Sequence, residues 1–125
     1  MSTANLMIGR YGEWVAARHL KRLGYSIIER NYRNTVGELD IIAKDGETIV
    51  FIEVKTRRSD DFGQPYESIT YRKRQKILKT AQLYLQGLTS EPSVRFDIIS
   101  VKLSDNKSIV GYQKTLEHKK DVFEL

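Results

Sequence analysis

The chain has 125 residues, a length that suits one domain able to build a hydrophobic core without covalent staples. It contains no cysteine, which excludes disulfides, thiol catalysis and cysteine-bound zinc and is typical of a reducing cytoplasm. The segment Met1–Arg10 lacks the apolar stretch of a signal peptide, and no apolar run approaches the roughly 20 residues that span a bilayer. We therefore expect a single soluble domain, residues 1–125, in the cytoplasm and without a membrane partner.

The formal net charge is +5, and the positive residues concentrate in Arg57-Arg58 and between Arg72 and Lys79. Clustered basic residues favour a polyanionic partner, because neutralising phosphates releases condensed counterions. Nucleic acid is therefore the first expectation. A basic but unspecialised protein is the alternative, since charge alone speaks to solubility and nonspecific attraction.

The first periodic segment predicts a helix from about Ile8 to Leu23, closed by Gly24. Glu13 falls on the border of its apolar face, from which a carboxylate can reach over the sheet on which the helix packs. The following run, Ser26 to Arg33, predicts a strand. The apolar face of the helix contains Ile8, Gly12, Val15, Ala16, His19, Leu20 and Leu23.

Two β-rich runs, Glu38 to Lys44 and Thr48 to Thr56, flank Asp45-Gly46, which is the strongest short-range signal for a hairpin turn. The second run is apolar on both faces except at Glu53, which predicts a central strand covered on each side. Arg57 to Ser68 has the composition of a loop, long enough to suggest contact with a partner.

A second helix is predicted from Thr70 to Leu85, ending before Gly87, and two further strands from Val94 to Leu103 and from Ser108 to Leu116. The buried stripe of this helix is expected to contain Ile77, Leu78, Ala81, Tyr84 and Leu85. The element order is α-β-β-β-α-β-β, with no internal repeat and no linker.

The hairpin is where acidic residues gather. A two-residue turn at Asp45-Gly46 would place Glu38 opposite Glu53 and Asp40 diagonal to Glu53, with Lys55 on the same face. A four-residue turn would preserve these faces, and a three-residue turn would not. We expect Glu38 to be only the exposed end of the hairpin.

Carboxylates that face each other across a hairpin repel, and a carboxylate in an apolar strand loses hydration. A hard cation such as Mg²⁺ or Mn²⁺ would convert this repulsion into coordination. Lys55 would then orient or deprotonate an attacking water. Asp40, Glu53 and Lys55, with Glu13 from the helix, have the parts required for phosphodiester hydrolysis. The alternative is a solvated hairpin face with an ordinary Glu–Lys pair.

Two sets of motifs resemble known families. Gly37-Glu38-Leu39-Asp40, followed thirteen positions later by Glu53-Val54-Lys55, resembles the signature of the PD-(D/E)XK nuclease superfamily, with Leu39 where the superfamily name has proline. The stretch from Gly12-Glu13 through Asn31-Tyr32-Arg33 and Glu53-Val54-Lys55-Thr56-Arg57 to Arg95-Phe96-Asp97 resembles the YraN-like family, which is similar to archaeal Holliday-junction resolvases.

The resemblance covers roughly Ile8 to Val101 and implies a restriction-endonuclease-like αβββαβ core, with a mixed central sheet flanked by helices. It implies Asp40 and Glu53 as metal ligands, Lys55 as the catalytic lysine and Glu13 as the helix carboxylate that completes the site. The implied function is a metal-dependent endodeoxyribonuclease acting on branched or junction DNA. Resolvase-like kinship also implies a homodimer, because two symmetric cuts need two sites.

Basic residues are expected to bind the phosphate backbone, which positions DNA by shape without reading its sequence. We expect Lys73, on the edge of the buried stripe, to point toward the site. A second hypothesis is a nucleic-acid-binding or partner-binding protein that keeps the fold and does not cleave. The expected backbone contacts are Arg57, Arg58, Arg72, Lys73 and Lys76.

Four other residues receive no chemical role. His19 lies on an apolar helix face and is expected to be a hydrogen-bonded core residue. His118 belongs to a basic tail, and we expect no serine or aspartate to form a triad with either histidine. Trp14 and Tyr25 have rings that stack on bases in other proteins, but aromatic residues on amphipathic elements are typically core or rim.

Overall fold

The computed structural model describes residues 3–58, 69–104 and 113–124. Within them the elements follow the order α-β-β-β-α-β-β that the sequence predicts. The elements are α1 (Thr3–Arg22), β1 (Ser26–Arg33), β2 (Glu38–Asp45), β3 (Thr48–Arg58), α2 (Tyr71–Gln86), β4 (Ser93–Ser104) and β5 (Gln113–Phe123). Neither helix in this described part is long and apolar enough to cross a membrane.

The five strands form one sheet in the order β1-β2-β3-β4-β5. The pairs β1–β2, β2–β3 and β4–β5 are antiparallel, whereas β3 and β4 are parallel. A parallel pair needs a crossover, which helix α2 provides. The predicted mixed α/β fold is therefore confirmed, and it is consistent with a restriction-endonuclease-like core. Strand β3 lies in the centre of the sheet, as its apolar composition predicts.

The two helices cover opposite faces of the sheet, and alternation along β3 shows this directly. Val50 and Ile52 belong to the hydrophobic cluster that includes α1, whereas Ile49 and Phe51 belong to the cluster that includes α2. The buried residues of α1 are Val15, Ala16, Ala17 and Leu20. Those of α2 are Ile77, Thr80 and Ala81, with Leu78, Tyr84 and Leu85 packed beside them.

Helix α2 has a well-formed start. The Thr70 side chain caps it by accepting a hydrogen bond from the backbone amide of Lys73 at 3.1 Å. This cap satisfies one of the free amides of the first turn and sets where the helix begins. Lys73 is therefore held in the first turn of α2, at the end of the helix nearest the site described below.

The turn between β2 and β3 differs from the prediction. Asp45 pairs with Thr48, so the turn residues are Gly46 and Glu47, with Gly46 at φ 59°. A positive φ favours glycine at this position. Moving the turn by one residue shifts the strand register by two, which leaves every side chain on its predicted face but changes its partner.

Three other predicted boundaries also change. Helix α1 ends at Arg22, so Leu23 is 49% exposed and not part of the buried face. Strand β3 continues through Arg58 into the segment predicted as a loop, whose remainder, residues 59–68, lies outside the described residues. The last strand was predicted to begin at Ser108; residues 105–112 lie outside the described residues, and β5 is seen from Gln113 to Phe123.

Candidate active site

Helix α1 makes a close approach to strand β3 at Gly12. A Cβ atom at this position would overlap the side chain of Thr56, so the approach requires glycine. The next residue, Glu13, lies close enough to Asp40 of β2 for the charge of Asp40 to raise the pKa of Glu13. The helix therefore adds a carboxylate to those of the strands, as the border position of Glu13 predicts.

Asp40 lies where the pairing of β2 with β3 ends. The ladder runs as far as Ile41 and Ile52, and beyond it Oδ2 of Asp40 accepts a hydrogen bond from the backbone amide of Val54 at 2.8 Å. The carboxylate thus accepts from a backbone amide of β3 that lies beyond the β2–β3 ladder. Continuing the same register places Asp40 beside Glu53, and not diagonal to it as the sequence predicts.

Glu53 of β3 faces Lys73 of α2, with Lys73 Nζ 3.6 Å from Oε1 of Glu53. The Glu53 side chain is only 12% exposed. Burial and then repulsion from Asp40 raise the pKa of Glu53 to about 7, although Lys73 and Lys55 oppose the shift. The positive charge beside Glu53 is therefore insufficient to keep it ionised as readily as an exposed glutamate.

Lys55 follows Glu53 on the same face of β3. Burial, followed by contact with Lys73, lowers the pKa of Lys55 to about 8, although Glu53 and Asp40 oppose the shift. A fraction of the Lys55 amine is therefore neutral near neutral pH. A neutral amine accepts a proton, which an ordinary surface lysine does not do at this pH.

The other two carboxylates are also harder to ionise than usual. Burial raises the pKa of Asp40, against the hydrogen bond from Val54 and the nearby lysines. Burial raises the pKa of Glu13 as well, and the charge of Asp40 raises it further, with Arg30 among the groups that oppose the shift. The surroundings of these three neighbouring carboxyl groups therefore do not fully stabilise their negative charge.

These groups open onto a cavity of about 770 Å³ between the helices. The β1–β2 connection forms one wall, and Asn34 organises it. The Asn34 side chain accepts hydrogen bonds from the amides of Val36 (2.9 Å) and Gly37 (3.2 Å) and donates one to the carbonyl oxygen of Thr80 in α2 (3.1 Å). A Cβ on Gly37 would crowd Thr80 and Lys76, so the wall packs tightly on α2.

Two of the five predicted phosphate contacts line this cavity. Lys73 and Lys76 line it. Arg57 and Arg58 lie beyond Lys55 at the end of β3, and Arg72 is exposed on α2. The structure therefore brings Lys73 to the carboxylates, as its position on the helix predicts.

Glu38 takes no part in the carboxylate cluster. Its Oε2 lies 3.2 Å from Nη2 of Arg33, and both side chains are mostly exposed. Glu38 is therefore the exposed end of the hairpin, which is the reading that the sequence favours.

Residues 12–101 match the uncharacterised protein family UPF0102, and the matched segment contains Glu13, Asp40, Glu53 and Lys55. The chain belongs to family UPF0102. A UPF0102 protein of Clostridium botulinum (strain Hall) is 51% identical over 106 residues, which cover 83% of this chain and 86% of that protein. A UPF0102 protein of Desulfitobacterium hafniense (strain Y51) is 43% identical over 109 residues, 86% of this chain and 90% of its own length. The YraN-like family membership expected from the motifs is thereby confirmed.

The donor set of this UPF0102 chain fits a hard divalent cation in composition. Asp40 and Glu53 offer adjacent carboxylate oxygens whose mutual repulsion a cation would relieve. Among the described residues, however, no three histidine, cysteine or acidic side chains converge closely enough to hold a metal ion. A cation held here would thus take one or two carboxylates, and water or substrate oxygens would supply the rest, which is the usual coordination of Mg²⁺.

Ser100 is a neighbour of Lys55 that sequence analysis of the UPF0102 chain missed. The two residues pair across β3 and β4, so their side chains share a face. Ser100 is 7% exposed, and its hydroxyl has no hydrogen-bond partner within the described part of the chain. No local signal marks it, because only the parallel pairing brings these two residues together.

No triad was expected around either histidine, yet the structure pairs one of them with an aspartate. Nε2 of His118 lies 2.7 Å from Oδ2 of Asp97, and the other ring nitrogen of His118 lies 3.1 Å from Nε2 of His19. Arg95 binds both oxygens of Asp97 and also contacts Asp45 and the hydroxyl of Tyr25. His19 is hydrogen-bonded, as expected, but it is only partly buried and lies at the edge of the core.

This second network is separate from the carboxylate cluster. Asp97 is 1% exposed and accepts a further hydrogen bond from the backbone amide of Asp121 in β5. Although burial alone would raise the pKa of Asp97, the hydrogen bonds from His118, Arg95 and Asp121 lower it overall. The network joins α1, β4, β5 and the β2–β3 turn, so its evident role is to hold these elements together.

Proposed function

We propose that this UPF0102 protein is a metal-dependent endonuclease of the PD-(D/E)XK type, which hydrolyses phosphodiester bonds in DNA. The observation that carries the proposal is the juxtaposition of Asp40 and Glu53, which line one cavity, with the amine of Lys55 within reach of their charges and the Asp40 carboxylate anchored to the Val54 amide at 2.8 Å. Buried acidic groups around a half-buried amine are costly to maintain, and such perturbed groups concentrate at functional sites.

Asp40 and Glu53 would hold Mg²⁺ or Mn²⁺, with Glu13 assisting directly or through a water. When bound, the ion supplies positive charge that stabilises the phosphoryl oxygens. The Lys55 amine would accept the proton of the attacking water as the new oxygen–phosphorus bond forms. The bond from phosphorus to the leaving oxygen then breaks, and that oxygen takes a proton from solvent.

The basic residues around the site would hold the DNA backbone. Lys73 and Lys76 line the cavity, Arg57 and Arg58 follow Lys55 on β3, and Arg72 precedes Lys73 on α2. Contacts of this kind position a phosphate chain without reading bases, so recognition would be by shape. Branched or junction DNA, cut by a homodimer that supplies two sites, is the substrate that this arrangement and the resolvase-like resemblance favour.

A second candidate is a nucleic-acid-binding or partner-binding protein that does not cleave. Glu53 is engaged by Lys73 and Asp40 by Val54, and no three acidic side chains of the described residues are arranged for a metal. These contacts favour a stable unliganded site. Against this candidate stands the repulsive pair of carboxylates, for which a purely binding protein has no evident use.

The test is cleavage of linear duplex, single-stranded and four-way-junction DNA by the full chain, with Mg²⁺, Mn²⁺ or EDTA. We expect cleavage only with a divalent metal, and its loss in Lys55→Ala and Glu53→Ala. Lys44→Ala is the matched control, because Lys44 is an exposed lysine of β2 near the opposite end of the hairpin. If no substrate is cut, or if both site variants cut as well as the parent, the second candidate replaces the first.

A further inference from the structure

The outer face of α1 carries a stripe of exposed aromatic and basic residues. Tyr11 and Trp14 are 38% and 43% exposed, and their rings stack with centroids 6.0 Å apart and planes inclined by 23°. Met7 precedes them on the same face and Arg18 follows, at the three- and four-residue spacing of helix neighbours. This stripe points away from the core that α1 buries against the sheet.

We call the two stacked rings the Tyr11–Trp14 platform. Two cations flank it. The guanidinium of Arg18 lies 5.0 Å from the centroid of the Trp14 ring. The Lys114 amine, at the start of β5, lies 5.9 Å from the centroids of both rings. Exposed rings between positive charges match a partner that presents both flat aromatic faces and negative charge.

The platform lies at the same end of the sheet as the proposed hydrolytic site. Gly12, next to Tyr11, packs on Thr56 of β3. Arg58 of β3 pairs with Leu103 of β4, which pairs with Lys114 of β5. Lys114 is therefore about two strand spacings, or roughly 10 Å, from the end of β3.

We propose that the Tyr11–Trp14 platform stacks on unpaired bases of a nucleic-acid strand, with Arg18 and Lys114 binding the adjacent phosphates. The inference rests on the proposed function for the identity of the partner and deepens it. Bases of a duplex are already stacked on each other, so a protein ring finds a free base face only where pairing is interrupted. The substrate class is therefore nucleic acid with a single-stranded segment beside the scissile bond, such as a flap or a branch.

The chain provides its own probe, because Trp14 is its single tryptophan. Fluorescence excited at the red edge of the absorption band, where the seven tyrosines do not absorb, therefore reports on Trp14 alone. In EDTA, where no cleavage occurs, we expect an oligothymidine to quench this fluorescence saturably, and a blunt duplex of equal length to do so much less. The same result is expected for Lys55→Ala, which separates stacking from hydrolysis.

Affinity for the labelled oligothymidine, measured by anisotropy at fixed salt, tests the rings directly. Replacing both rings in Tyr11→Ala/Trp14→Ala should weaken binding by at least about tenfold, whereas Trp14→Phe, which keeps a ring, should lose much less. Met7→Ala is the matched control, since Met7 is 65% exposed on the same face and carries no ring. All positions are exposed, and circular dichroism verifies folding.

Absence of quenching, or unchanged affinity in the double variant, overturns the proposal. So does a Trp14 emission shift that depends on protein concentration without nucleic acid, because the platform would then pack against a second copy of the chain. If the parent is quenched and the double variant loses affinity tenfold, but no substrate is cut, the platform is supported and the endonuclease proposal fails. If the double variant cuts flapped DNA with metal as well as the parent does, the platform proposal fails and the endonuclease proposal stands.

Discussion

The carboxylate of Asp40 accepts a hydrogen bond from the backbone amide of Val54 at 2.8 Å. This bond ties the end of β2 to β3 between Glu53 and Lys55, and it positions the carboxylate where the strand ladder stops. Asp40 therefore combines two roles: its oxygen satisfies a backbone donor, and its negative charge belongs to the proposed metal site.

The two roles of Asp40 are separable. Asp40→Asn retains an oxygen that accepts from Val54 and removes the charge, so we expect urea unfolding to change little while cleavage falls by about 10²–10³-fold. Asp40→Ala also removes the acceptor, and should cost about 1–2 kcal/mol of unfolding free energy in addition. Urea titrations and junction cleavage measure the two effects. Equal stability of both variants would contradict the structural role.

Replacing either of two glycines of α1 by alanine should change the stability of the protein in opposite directions. Gly9→Ala meets no atom within 4 Å and should stabilise the helix by up to about 1 kcal/mol. Gly12→Ala forces its Cβ into Thr56 and should cost about 1–3 kcal/mol, because a packed contact tolerates little added volume.

Thermal unfolding of the two alanine variants tests this contrast. Adding Thr56→Ala to Gly12→Ala removes two of the three atoms closest to the new Cβ, and should restore part of the loss. A Gly12→Ala protein as stable as Gly9→Ala would show that α1 does not approach β3 as described.

The network around Asp97 predicts loss of stability in acid. The pKa of Asp97 is lowered in the folded chain, so its stabilising contribution is present above its unfolded pKa of about 3.8 and is lost as pH falls through the folded value. Burial, followed by the charges of His118, Lys120 and Arg22, lowers the pKa of His19. The His19 contribution to stability should therefore fall below about pH 6.5, where an unfolded histidine takes up a proton, whereas Glu53, whose pKa is raised to about 7, acts in the opposite direction over the same range.

Melting temperatures between pH 8 and pH 3 measure this decline. His19→Gln removes the histidine and leaves Glu53 in place, so the difference in melting temperature between the parent and this variant isolates the His19 contribution and should change as pH falls through 6.5. A difference that stays constant between pH 8 and pH 5 would contradict the assignment.

Two buried hydroxyl groups on the α2 side of the sheet should contribute differently to the free energy of unfolding. The Ser100 hydroxyl lacks a partner within the described residues, so Ser100→Ala should be neutral or stabilise by up to about 1 kcal/mol. The Thr80 hydroxyl donates to the Lys76 carbonyl at 2.7 Å, and Thr80→Val should cost about 1 kcal/mol. Urea unfolding distinguishes the pair, and a large destabilisation by Ser100→Ala would reveal a hydrogen bond to that serine.

Local patterns predicted the elements well. The bounds of β1 agree with the prediction at both ends, and the two-sided apolar pattern of β3 identified the central strand. The turn signal Asp45-Gly46 located the hairpin but not its register. A two-residue turn that begins one position later, at Gly46, also contains this glycine. The faces survived this error because a register shift of two preserves alternation.

Contacts between distant segments were harder to predict. His118 binds Asp97 across 21 positions and His19 across 99, and no local spacing encodes either contact. Ser100 lies beside Lys55 only because β3 and β4 run parallel. Trp14 was expected to be core or rim, since helical periodicity separates outer from inner faces but does not identify the cation that β5 adds beside its ring.

The sequence by itself determined the α/β order of elements and the choice of Asp40, Glu53 and Lys55, because periodicity and residue chemistry are properties of short segments. Only the tertiary structure decided that Asp40 binds Val54, that Lys73 reaches Glu53, and that Lys114 meets the rings of α1. Such contacts join segments far apart in the chain, and they depend on register and on helix position, which small changes in turns and in close packing control.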